Sequence, residues 1–205
     1  MDTSVKLDPA YWDERYRIGS TGWDLGEANS GLVDAVAQRL TSSSRVLIPG
    51  AGRAYEARAL WTRGHREVFV LDWSATAIEE VRAATSAEQV GLTQQQLDAR
   101  LLVGDFFTHR GRYDVLVEQT FFCAIAPARR GEYVRQAAEL LKPGGRWIGL
   151  LFDRHFPNAG PPFGGSLAEY RGLFGEAFEI ETLAPSQISV PPRRGSEAFG
   201  VMRKR

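Results

Sequence analysis

Arg45-Val46-Leu47-Ile48-Pro49 runs straight into Gly50-Ala51-Gly52, and a helical pattern follows from Ala54 to Thr62. A short β-branched run, a glycine turn and then a helix constrain the fold more than any other stretch of this sequence. The unit recurs. Glu67-Val68-Phe69-Val70-Leu71 ends at Asp72 and is followed by a helical pattern from Ser74 to Ala84. Arg100-Leu101-Leu102-Val103 ends at Gly104-Asp105, and Tyr113-Asp114-Val115-Leu116-Val117 ends at Glu118-Gln119. A helix from Pro127 to Leu141 stops at Lys142-Pro143-Gly144-Gly145, ahead of a fifth strand from Arg146 to Phe152. Apolar strands alternating with helices predict an α/β fold whose mostly parallel sheet is covered on both faces.

The end of the chain departs from this rhythm. After a loop rich in Gly and Pro (His155 to Gly165), a helix from Ser166 to Gly175 leads to a sixth strand, Phe178 to Leu183. The segment Ala184 to Gly195 carries Pro185, Pro191 and Pro192 and no helical pattern before the last strand, Glu197 to Arg203. That predicts an antiparallel edge closing a seven-stranded sheet.

Upstream, Asp8-Pro9 opens a helix to Arg17, with Asp8 as cap and Pro9 at the first helical position. The stretch from 8 to 25 is dense in aromatics, and Leu32, Val33, Val36 and Leu40 give a second helix its apolar stripe. The 205 residues suit one domain, with a helical N-terminal part over 1–40 ahead of a core over 45–205.

Composition narrows the partners. Lys plus Arg equals Asp plus Glu at 25 each, so nucleic acid and anionic membranes are not expected. One cysteine, Cys123, rules out an internal disulfide, and it lies in the apolar run Phe121-Phe122-Cys123-Ala124-Ile125. His65, His109 and His155 have no ligand-type spacing, so no metal is expected. The polar first ten residues and the lack of a long apolar stretch predict a cytoplasmic protein, expected to be a monomer.

Parallel α/β sheets bind ligands where their strands end. Gly50-Ala51-Gly52, Asp72, Asp105 and Gln119 all fall there. Glycines admit a tight turn and a close ligand, and an acid about 20 residues on accepts hydrogen bonds from ribose hydroxyls. Asp105 beside Phe106 suits an adenine. A dinucleotide is the rival, but its third glycine position holds the bulky Tyr55, and no second nucleotide-binding half follows. S-adenosylmethionine has no pyrophosphate and needs neither. A helix-capping role for Asp72 is the plain alternative.

Several segments resemble the thiopurine S-methyltransferase family. Trp12-Asp13-Glu14-Arg15-Tyr16 with Thr21-Gly22-Trp23-Asp24 is similar to its N-terminal signature, and Ile48 to Glu56 is similar to its first cofactor motif. Leu71-Asp72-Trp73-Ser74, Gly104-Asp105-Phe106-Phe107, Phe121 to Ile125, Leu140 to Gly145 and Gly160-Pro161-Pro162-Phe163 add to the resemblance. It spans the chain from about Tyr11 onward, and its nearest branch holds plant thiol and halide methyltransferases. The resemblance implies a Rossmann-like methyltransferase sandwich and a lid of Trp12, Tyr16 and Trp23 over S-adenosylmethionine. Further cofactor residues are then Gly50, Gly52, Asp72, Trp73, Asp105, Phe106 and Gln119. Gln119 stands where the plant branch has tyrosine.

The acceptor implied is a small soft nucleophile, foremost a thiol, with a halide as alternative. A dry apolar pocket suits an anion attacking a cation. Phe122, Phe156 and Phe163 are the candidate walls, with Phe121 read as core, and Arg154 beside His155 is the candidate attractor of an anion. No residue is assigned as general base. A cofactor-binding module without catalysis is the reading from another class.

Overall fold

The computed structural model describes residues 6–157 and 159–205. The expected polar start of the chain, residues 1–5, and Asn158 of the Gly/Pro loop lie outside that range. Seven strands form one sheet: β1 Val46–Pro49, β2 Val68–Asp72, β3 Leu101–Val103, β4 Tyr113–Gln119, β5 Leu141–Phe152, β6 Phe178–Pro185 and β7 Glu197–Lys204. Their order is β3-β2-β1-β4-β5-β7-β6. The pairs among β1 to β5 are parallel, while β7 is antiparallel to both neighbours.

The α-helices are α1 Pro9–Arg17, α2 Ser30–Ala37, α3 Tyr55–Thr62, α4 Ala75–Ala84, α5 Gln94–Asp98, α6 Arg130–Leu140 and α7 Leu167–Gly175. Local chemistry starts most of them. Asp8, Asn29, Ser74, Thr93 and Ser166 each accept a hydrogen bond from a first-turn N–H. Two apolar layers flank the sheet. Val46, Ile48, Val70, Val115 and Ile148 face α2, α3 and α4, whereas Leu47, Leu71, Leu116, Trp147 and Leu151 face α6 and α7. Alternation along each strand feeds both layers, as a sheet covered on two faces requires.

The antiparallel edge closes the seven-stranded sheet as expected, with β7 between β5 and β6 and its Ala198, Val201 and Met202 wholly buried. The edge is β6, whose Glu179 and Glu181 are not buried. The expected break at Lys142 to Gly145 lies inside β5 as a bulge, with the pairing passing from Tyr113–Leu141 to Val115–Arg146. The short α5 has no apolar period to announce it, only the Thr93–Gln96 capping box.

Candidate functional site

A cavity of about 760 Å³ opens at the ends of β1 to β5, beneath α1. Gly50, Asp72, Trp73, Asp105 and Phe106 line it from the strand ends, and Trp12, Tyr16 and Trp23 line it from above. Arg154 and Phe156, after β5, line the side away from Asp72 and Asp105.

The turn after β1 has left-handed backbone at Gly50, Gly52 and Ala54, with φ of 56°, 52° and 51°. The turn brings the Gly52 N–H to Asp72, donating to Oδ2 at 2.9 Å while Ser74 N–H donates to Oδ1 at 2.8 Å. Ser74, not Asp72, caps α4 through its hydroxyl. Asp72 is therefore free for another partner at its remaining lone pairs, and burial raises its pKa above the ordinary aspartate value. Asp105 accepts the Phe107 N–H at 2.9 Å, and Phe106 stacks on Tyr133 with ring centroids 5.0 Å apart.

Gln119 and Gly52 border a small recess beside the main cavity, together with Gly50, Tyr16 and Trp23. The Gln119 Oε1 is buried without a hydrogen-bond partner. An amide oxygen in that condition suits a donor such as an ammonium group.

The aromatic lid is built from edge-to-face contacts. Trp23 meets Trp12 at 5.6 Å and Tyr16 at 5.7 Å between centroids. Three anchors tie the lid to the core. Asp13 accepts from Ser74 Oγ at 2.6 Å and Thr76 N–H at 3.0 Å at the start of α4. Asp24 pairs with Arg53, which also bonds Glu80 at 2.9 Å. Arg193 donates to the Trp23 carbonyl at 2.7 Å. Sequence reading missed Asp13 and Arg193 because both act across long separations. It also missed Arg15, whose guanidinium faces the Tyr11 and Trp23 rings and lines the cavity. The i, i+3 and i+4 spacing of Trp12, Arg15 and Tyr16 on α1 was the available signal.

The wall after β4 reverses two assignments. Phe121 lines the cavity, whereas Phe122 is 2% exposed and packs on Tyr133, Tyr170 and Phe174 in the core. Thr120, at φ 63°, breaks the strand alternation, and a 3-10 turn over Phe122–Ala124 follows. Phe163 does not line the cavity; its N–H donates to the Cys123 carbonyl at 2.7 Å and so ties the loop to this turn. Gly52 likewise borders the recess and not the main cavity.

Cys123 also borders the cavity, donating from Sγ to the Thr120 carbonyl at 3.2 Å. Burial pushes its thiol up to about 12, so the thiolate is scarce at neutral pH. A thiol reagent at pH 7.5 is expected to modify less than about a tenth of the native protein in the time that labels the denatured chain fully. Equal rates in both states would show an accessible thiol.

Among the described residues there is no group of three or more His, Cys, Asp or Glu side chains that could hold a metal ion, and no helix is long and apolar enough to cross a membrane.

A family model described as thiopurine S-methyltransferase matches residues 7–205. The chain is 32% identical to a probable thiol methyltransferase 2 of Arabidopsis thaliana, over 94% of its own length and 84% of that protein. It is 29% identical to a thiocyanate methyltransferase 1 of Brassica oleracea over the same shares. A thiopurine S-methyltransferase of Pseudomonas fluorescens is 28% identical, over 89% of this chain and 88% of the other. Among solved structures, the 1,6-didemethyltoxoflavin-N1-methyltransferase of Burkholderia thailandensis, with bound S-adenosylhomocysteine, superposes with a TM-score of 0.74 at 18% identity, over 100% of this chain and 93% of the other. The magnesium protoporphyrin IX methyltransferase of Synechocystis, with bound S-adenosylmethionine, gives 0.74 at 13% identity over the whole of both chains. At those identities the two structures speak for the fold.

Proposed function

Because this chain belongs to the thiopurine S-methyltransferase family, we propose methyl transfer from S-adenosylmethionine to the sulfur of a small thiol as its activity. The observation that carries the acceptor is the make-up of the cavity. Among the described residues, the carboxylates lining it are Asp72 and Asp105, both at the β2–β3 side, and no histidine or lysine lines it. An alcohol or amine would want a base at the other side, toward Arg154 and Phe156. A thiol of pKa about 8.5 is already a few per cent thiolate at neutral pH and wants none.

The residues present fit the cofactor. S-adenosylmethionine supplies an electrophilic methyl group on a sulfonium cation. Asp72 accepts from ribose hydroxyls, while Trp73, Asp105 and Phe106 enclose the adenine. Gln119 gives its unpartnered Oε1 to the ammonium group, beside the close backbone of Gly50 and Gly52. Trp12, Tyr16 and Trp23 would cover the site, their indole N–H and phenol O–H groups being the donors available to the carboxylate. Phe121, Phe152 and Phe156 keep water from the acceptor side, and Arg154 attracts an anionic sulfur there. Aromatic faces toward a sulfonium add roughly 0.5–2 kcal/mol. A cavity of about 760 Å³ suits a small-molecule acceptor beside the cofactor.

The test is a panel of thiophenol, sulfide, iodide and phenol, read by release of S-adenosylhomocysteine. Turnover on the thiols and none on phenol is expected. Faster turnover on iodide than on any thiol would move the assignment to the halide alternative, and turnover on phenol alone would overturn it. Tight cofactor binding with no turnover at all would favour a non-catalytic module.

A further inference from the structure

Glu118 is completely buried at the end of β4. Its Oε1 accepts from the Phe121 N–H and the Phe122 N–H, each at 2.7 Å. Its Oε2 accepts from the Tyr133 hydroxyl at 2.6 Å, and that hydroxyl accepts from Trp147 Nε1–H at 2.9 Å. Every bond in this network points its proton toward Glu118, so the arrangement is made for a carboxylate. Room for it comes from β5, where a Cβ on Gly149 would fall within 2.6 Å of the Glu118 carbonyl oxygen. A buried charge is a costly way to hold a turn that apolar packing alone could support. What the carboxylate holds is specific: the backbone that turns at left-handed Thr120 and lays the Phe121 ring against Gly50.

We infer that Glu118 is a positioning residue for the acceptor side, fixing the 120–123 turn and with it the Phe121 wall of the cavity. Its effect on activity rests on the methyl-transfer reading of that cavity. Burial pushes the Glu118 acid up to about 7, against the pull of its three donors. The titratable groups facing it are Tyr133 of α6 and Cys123 of the turn, both held neutral by burial, while β5 presents Trp147 and Gly149. Above that pH the carboxylate accepts from all three donors. The closed turn raises this acid and an opened turn returns it to water, so ionisation favours opening, and the wall loosens as pH rises through neutrality.

Glu118→Gln keeps an oxygen for the two N–H groups but puts an amide donor against Tyr133. Amide exchange over 119–124, corrected for its intrinsic pH dependence, is expected to be about tenfold faster at about pH 8 than at about pH 6 in the wild type, and equal at both in the variant. With 4-nitrothiophenol, a thiolate across this range, the variant's KM for the thiol is expected to rise about tenfold while S-adenosylhomocysteine affinity by calorimetry stays within about threefold. The pH step in the wild-type thiol kcat/KM is expected to vanish with it.

Equal exchange in the two proteins, or losses in thiol KM and cofactor affinity that move together, would overturn the inference. Exchange that behaves as expected in a wild type that methylates no thiol would instead overturn the function and leave the positioning role standing. Should Glu118→Gln not fold, Tyr133→Phe removes one donor, and unchanged protection of 119–124 in that protein overturns the inference.

Discussion

Asp72→Ala is expected to weaken S-adenosylmethionine binding by roughly a hundredfold, leaving the fold intact. Hydrogen bonds to a charged acceptor contribute about 1.5–3 kcal/mol each, and losing those to a ribose removes roughly 3 kcal/mol. The fold tolerates the change because Ser74 caps α4 and Asp13 adds a second acceptor there. The Gly52 and Ser74 N–H groups lose their shared acceptor, but a buried charge with no cation bonded to it goes too. The sign with pH follows from the raised pKa of Asp72. Ribose donors favour the ionised form, so binding expels the proton and affinity falls as pH drops through that raised value. Folding has the opposite dependence: protonated Asp72 is preferred in the folded state, and its contribution to stability is lost as pH rises through the same value. Calorimetry with S-adenosylhomocysteine across pH checks the affinity, and denaturant unfolding across pH checks the stability. An affinity within about threefold of wild type would remove Asp72 from the site.

That Asp72 was legible in the sequence has a physical reason. In a parallel sheet the strand ends gather at one place, so local signals name the residues that will meet. Gly50, Asp72, Asp105 and Phe106 needed only their own strands to be found, and all line the cavity. Asp8 and Pro9 announced α1 for the same reason. What stayed hidden was non-local or broke a period. No signal within Glu197–Lys204 says that β7 enters the sheet between β5 and β6, because that depends on α7 carrying the chain one place too far. Phe121 and Phe122 were exchanged because left-handed Thr120 ends the strand and a 3-10 turn follows, and nothing within the run from Phe121 to Ile125 announces either. Arg193 reaches the lid across 170 residues, a separation no motif reports. Glu118 was visible only as a strand-end acid. Its purpose depends on Tyr133 and Trp147, which belong to α6 and β5.

The exchange of Phe121 for Phe122 matters because Phe121 is what makes Gly50 irreplaceable. A Cβ at Gly50 would fall within 2.7 Å of the Phe121 Cβ and closer still to its ring. The backbone there is left-handed as well, at φ 56°, which costs an L-residue roughly 1–2 kcal/mol. Forcing the ring away adds an overpacking cost of about 1–3 kcal/mol. Gly50→Ala is therefore expected to lower stability by about 2–5 kcal/mol in denaturant unfolding, and to cut methyl transfer by more than about a hundredfold, since a misplacement of 1 Å alone costs about that much. Phe106 and Tyr133 meet the Phe121 ring at 5.4 and 5.9 Å, and they leave it little room to yield.

The two causes separate in a double-mutant cycle. Phe121→Gly removes both the ring and the Cβ but not the backbone strain at position 50, so Gly50→Ala in that background is expected to cost only about 1–2 kcal/mol. A coupling near zero would mean that the glycine serves its turn alone. A coupling of 1 kcal/mol or more would show that the turn after β1 and the wall after β4 are fitted to each other, the first closing on the cofactor side and the second on the acceptor side.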